Sequence, residues 1–200
     1  MDPILDLMPV VATVFAVPQF LPQLTVVWRT GNRAGVSWSW AALTSINNAG
    51  WIAYFALSRL WTALVPAIAA TVLAGALAVL LGRQAGFPLR PAAIAAGWAA
   101  ILTVAALLTG RAGLGTGLTV SFILQVAPSV WTAYRTHRPT GISRGTWTLV
   151  LAELLCWGLY GLHKSDPRLI VLGFTGVAAS ILMLIRAHST GQPTGEGVRS

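Results

Sequence analysis

The chain is laid out as long apolar runs separated by short polar interruptions. Residues 7–28, 34–58, 60–82, 91–110 and 112–134 contain no Asp, Glu, Lys or Arg. Residues 145–162 form a sixth run, interrupted only by Glu153, and residues 169–185 a seventh. Each is close to the ~20 residues that a helix needs to cross a ~30 Å hydrocarbon core. The pattern predicts seven membrane-spanning helices at about 4–27, 38–57, 61–81, 91–108, 114–134, 146–162 and 167–185. Residues 82–90 and 109–115 carry the glycines and arginines of turn-rich connections. The segment 186–200 is polar and reads as a disordered cytoplasmic tail.

Composition supports the same class. Hydrophobic residues make up 56% of the 200 positions and charged residues 9%, against roughly 25% charged in soluble domains. Mean hydropathy is +0.72. These values exclude a soluble enzyme and an intrinsically disordered chain. The single cysteine, Cys156, excludes an intrachain disulfide. The segment from Met1 to Asp6 has no basic residue, so the first span is expected to be retained rather than cleaved as a signal peptide. A net charge of +8 raises nucleic acid as a partner. The cations, however, fall one to three at a time in short loops, so no nucleic acid is expected. With seven spans, nine Lys and Arg lie on one side and four on the other. That split places the N-terminus outside and the C-terminus in the cytoplasm of a multi-pass inner or plasma membrane protein.

An internal repeat organises the spans. Shifted by 106 positions, residues 19–54 and 125–160 share nine identities in 36 gapless positions. Among them are Gln19 with Gln125, Pro22 with Pro128, Trp51 with Trp157 and Tyr54 with Tyr160. The expected fold is all-α and integral to the membrane. Two parallel three-helix repeats, 1–82 and 113–185, are joined by a linking helix in 83–112, a 3+1+3 plan.

Two sets of residues carry candidate chemistry. Pro22 and Pro128 lie inside apolar spans, where each removes a backbone donor and crowds the carbonyl four residues earlier. Gln19, Gln23 and Gln125 are placed to satisfy the freed carbonyls of Pro18 and Leu124, in the manner of a hinge or gate. The alternative is a static packing kink. The second set is a pair of stripes at i, i+4, i+7: Asn47, Trp51 and Tyr54, then Glu153, Trp157 and Tyr160. They form opposite walls of a substrate cavity or, alternatively, interhelical hydrogen bonds that glue the bundle. Glu153 is the only carboxylate within a span, a position that requires a partner or water. Tryptophan offers a flat face for sugar C–H groups or a π-surface for a cation. His137, His163 and His188 lack metal-ligand spacing, so no metal or other cofactor is expected.

The segments Phe20-Leu21-Pro22-Gln23, Trp28-Arg29-Thr30 and Gly35-Val36-Ser37 resemble the signature of the SWEET, SemiSWEET and PQ-loop transporters. The second copy is Ala127-Pro128-Ser129, Tyr134-Arg135-Thr136 and Gly141-Ile142-Ser143, with Ser129 where the signature has glutamine. The resemblance covers roughly 10–82 and 115–185. It implies that the motif prolines act as hinges and that Asn47 with Trp51, and Glu153 with Trp157, line the substrate pocket. The third-helix asparagines of the family are replaced here by Pro66 and Ala67, then Leu172 and Gly173.

The resulting expectation is a non-enzymatic transporter of a small polar solute embedded in the lipid bilayer. Its first form is a sugar uniporter working by alternating access. Two alternatives remain open: a proton-coupled amino-acid or metabolite carrier using Glu153, and a receptor or scaffold of the same fold. Self-association into a homo-oligomer also remains open.

Overall fold

The computed structural model describes residues 3–31, 37–86, 88–135 and 144–189. They are almost entirely helical, with no strand among them. In order they form α1 (Pro3–Asp6), α2 (Met8–Thr30), α3 (Trp38–Leu57), α4 (Leu64–Ala85, entered through a 3-10 turn at Trp61–Ala63), α5 (Leu89–Arg135), α6 (Arg144–Lys164) and α7 (Pro167–Ser189). Local chemistry sets several ends. Gly31 closes α2 in the left-handed region, and its N–H bonds Val27 O at 3.1 Å. The Ser37 hydroxyl caps α3 by accepting from Trp40 N at 3.4 Å. Asp166 caps α7, accepting from Arg168 N at 3.0 Å, with Pro167 as the first helical residue.

Helix α5 departs from the expected layout. Residues 109–115 remain helical except at Gly110 (φ 60°, ψ −148°). The 47 residues of α5 would measure ~70 Å if straight. Instead the chain reverses at Gly110. Asn47 bonds both Trp98 and Ser121, positions that a straight helix would hold ~34 Å apart. Leu102 likewise packs beside Gly117. The 89–109 and 111–135 stretches therefore run back to back. Glycine alone tolerates this backbone conformation without strain.

The packing pattern recurs. α4 packs on both α2 and α3, and α7 on both α5 and α6. Between these groups, α2 packs on α6 and α3 on α5. α6 and α7 approach closely because Gly158 lies against Gly173, where a Cβ on Gly173 would strike the facing backbone. The main core cluster lies between the groups and includes Trp51, Tyr54, Phe55, Leu118, Leu154, Trp157, Tyr160 and Leu169.

Among the described residues five stretches are long and apolar enough to cross a membrane: Pro3–Leu21, Trp61–Gln84, Leu89–Ala127, Arg144–Lys164 and Pro167–Ser189. α3 falls outside this set because Thr44, Ser45, Asn47 and Asn48 lower its hydropathy. The outer surface is apolar, with Leu107 80% and Leu108 78% exposed. Such a surface suits hydrocarbon, and the protein is membrane-associated. The side chains of Pro22, Gln23, Pro128 and Ser129 lie outside the described residues, as do residues 32–36 and 136–143 of the two motif copies and the tail from residue 190.

Candidate functional site

A cavity of about 460 Å³ lies between the two groups of helices, within the ~300–1,000 Å³ usual for small-molecule sites. Its walls follow the internal repeat. Of 22 lining residues, sixteen form eight pairs separated by 106 positions. They include Ala16 with Phe122, Gln19 with Gln125, Thr44 with Val150, Asn47 with Glu153, Trp51 with Trp157 and Pro66 with Leu172. Helical spacing explains the selection, since residues at i, i+4 and i+7 share one face and all turn toward the same gap.

The polar groups bridge the two sides. The Gln19 amide on α2 donates to Glu153 Oε2 on α6 at 2.9 Å. On the other wall, Asn47 Nδ2 donates to Ser121 Oγ at 2.9 Å, and Gln125 Nε2 donates to the same oxygen at 3.0 Å. Gln125 thus reaches Asn47 through a serine, where Gln19 reaches Glu153 directly. Asn47 is also held from a second direction, because the Trp98 indole N–H donates to its Oδ1 at 2.8 Å. These contacts alter the expected role of the glutamines. Gln19 donates to Phe15 O as well as Glu153, and Gln125 turns to Ser121, so neither satisfies the carbonyl of Pro18 or Leu124. α2 remains helical through Pro18 and Pro22.

An aromatic layer bounds the cavity. Phe55 stacks on Trp157 at 5.4 Å and 8°, and on Trp51 at 5.4 Å and 23°. The structure places Tyr54 and Tyr160 beyond this layer rather than on the cavity wall, each 1% exposed. Their hydroxyls cross between the two sides. Tyr54 donates to Asp166 Oδ2 at 2.6 Å, and Tyr160 shares a 3.3 Å bond with Thr62. At the same end Asp6 pairs with Lys164 and lies 3.2 Å from His163.

The opposite end is held together differently. Gln84 donates to Val27 O, and Arg186 donates to Ala133 O. Val27 and Ala133 are themselves 106 positions apart. Arg144 donates to Ala187 O and Tyr134 to Leu182 O. Each of these four bonds joins helices of the same group. Trp40 lines this end of the cavity and stacks on Phe20 at 5.9 Å. Trp28, Trp61 and Trp131 are exposed near helix ends, and the Arg135 guanidinium lies 4.3 Å over the Trp131 ring.

Of the six expected binding residues, Asn47, Trp51, Glu153 and Trp157 meet at the cavity. Sequence reasoning missed Trp98, Ser121, Phe55 and Asp166. Trp98 carried a usable signal, being the only aromatic residue in 89–109. Ser121 did not, since its counterpart in the first repeat is Phe15.

Among the described residues no group of three or more metal-ligating side chains occurs. No protein-family model matches the chain, and no curated protein matches it.

Proposed function

We propose that this chain is a membrane transporter of a small polar solute, of the SWEET/PQ-loop type. It is built as two parallel three-helix repeats, 1–82 and 113–185, joined by a linking helix in 83–112. The observation that carries the reading is the cavity wall, where eight pairs of repeat-related residues line one cavity. A duplicated scaffold that encloses a polar site between its halves suits alternating access, in which one repeat rocks against the other. The reversal at Gly110 supports seven passes, and the recurring packing of α2–α4 and of 111–135 with α6 and α7 supports the two repeats.

The contacts at the two ends support a mechanism. At the Tyr54 end the bonds cross between repeats and close the site. At the Pro22 end the four named bonds stay within repeats. Opening the other end requires breaking the Tyr54–Asp166 and Tyr160–Thr62 bonds, with Pro22 and Pro128 as points of bending. The chain makes or breaks no covalent bond in this cycle. A sugar is the first solute class to test, because indole faces flank hydrogen-bonding groups. The placement of Glu153 in the cavity supports a second reading, a proton-coupled carrier in which this carboxylate gains and loses the proton.

The test is uptake of labelled glucose, sucrose and a panel of amino acids into proteoliposomes, with and without a pH gradient. Sugar flux indifferent to the gradient is the expected result. Amino-acid flux driven by protons and lost in Glu153→Gln selects the second reading. Absence of flux for every solute overturns transport.

A further inference from the structure

The cavity is electrically lopsided. Of its 22 lining residues only Glu153 is ionisable as an acid, and none is Lys, Arg or His. The group hydrogen-bonded to Glu153 is a neutral N–H donor, the Gln19 amide at 2.9 Å. The described ion pairs lie elsewhere, with Asp6. A carboxylate at membrane depth is costly without a countercharge. Among the described residues the chain supplies it a hydrogen bond and no cation.

The repeat-related wall has the opposite character. Asn47 stands where Glu153 stands, and its amide is largely committed: Oδ1 accepts from Trp98, and Nδ2 donates one proton to Ser121. One N–H then remains on Asn47, so this wall offers a donor to a solute. The Glu153 wall offers acceptor lone pairs and, in its ionised form, a negative charge. The stacked rings of Trp51, Phe55 and Trp157 bound the cavity beside these two groups. A solute that satisfies both walls carries an ammonium group at one end and a hydroxyl or carbonyl oxygen at the other. A neutral sugar satisfies the Asn47 wall and leaves the carboxylate uncompensated.

We infer that the solute is a small amine-bearing molecule with a hydroxyl or carbonyl oxygen, its ammonium group supplied as the countercharge of Glu153. This inference rests on the transport reading for flux, but not for binding. The experiment compares glucosamine with glucose, which differ at one substituent, at equal pH on both sides of the membrane. Proteoliposome uptake and equilibrium binding to the detergent-solubilised protein are both measured. The expected result is a preference for glucosamine of about tenfold or more, the size of one favourable charged contact. Its uptake should also rise when the vesicle interior is made negative. Glu153→Gln should remove the preference, bringing glucosamine and glucose to within about twofold of each other. Equal handling of the two sugars by the unmodified protein overturns the inference without reference to any variant. So does flux of neutral solutes that follows a pH gradient and is lost in Glu153→Gln, which assigns the carboxylate to proton transfer. Glucosamine binding that depends on Glu153, with no flux of either sugar, upholds the amine site and overturns transport instead.

Discussion

The Trp98→Phe substitution tests whether the 89–109 stretch is more than a connector. It keeps most of the aromatic packing and deletes one N–H, the donor 2.8 Å from Asn47 Oδ1. Asn47 is 8% exposed, so water has little access to replace that donor. An orphaned buried acceptor costs about 1–3 kcal/mol in soluble proteins. Interhelical polar contacts in membranes average about 0.6 and reach about 1.7 kcal/mol. The lower range applies, because the Asn47 amide can turn toward Ser121, and a loss of about 1 kcal/mol is expected. If Asn47 contacts the solute, the same loss raises half-saturation about fivefold with little change in maximal rate. The assay pairs thermal unfolding in detergent with transport kinetics, for Trp98→Phe, Asn47→Ala and the double variant. In the Asn47→Ala background, Trp98→Phe should cost almost nothing, since the bond is already gone. An equal loss in both backgrounds would refute the hydrogen bond and leave only ring packing.

Other consequences follow from the same contacts. Tyr54→Phe deletes the 2.6 Å bond to Asp166. It should favour opening of that end by about 1 kcal/mol, seen as faster labelling of a cysteine introduced at Thr62 into a Cys156→Ser background. Asp166→Asn gives a matched comparison. Gly110→Ala forces a side chain into a backbone region essentially reserved for glycine and should cost about 1–3 kcal/mol in thermal stability. Gly173→Val places methyl groups against the Gly158 backbone, so it should abolish a monodisperse peak in size-exclusion chromatography. The Cys156 thiol is buried and should resist maleimide in the folded protein and react only after denaturation.

Much of the architecture is readable in the residue order because membrane solvation is a local constraint. A helix that lacks charge for ~20 residues belongs in hydrocarbon whatever its neighbours do. The boundaries 38–57 expected for the second span match α3 for the same reason, with Ser37 supplying the cap. The stripes at i, i+4, i+7 were also legible, since helical geometry puts those side chains on one face. How far along that face the cavity extends was not. Trp51 and Trp157 reach it, while Tyr54 and Tyr160, one turn further on, lie beyond the Phe55 layer and bond across the closed end. The turn expected at 109–115 narrowed to a single residue, because the flanking Ala, Arg and Leu are good helix formers and Gly110 alone provides the reversal.

The order of amino acids by itself determined that this chain is helical, apolar on the outside and duplicated at a spacing of 106 residues. It also isolated Glu153 as the one carboxylate inside a span. Those are properties of single segments and of their comparison. Only the tertiary structure decided what each polar group faces. Gln19 meets Glu153 across 134 residues, Asn47 meets Ser121 across 74 and Tyr54 meets Asp166 across 112. The physical reason is that periodicity selects the face of a helix a side chain occupies, whereas its partner is selected by which helix packs there and at what height. In this protein those choices leave two related positions unlike: an amide bonded to Ser121 and Trp98 at Asn47, and a carboxylate bonded to the neutral Gln19 amide at Glu153.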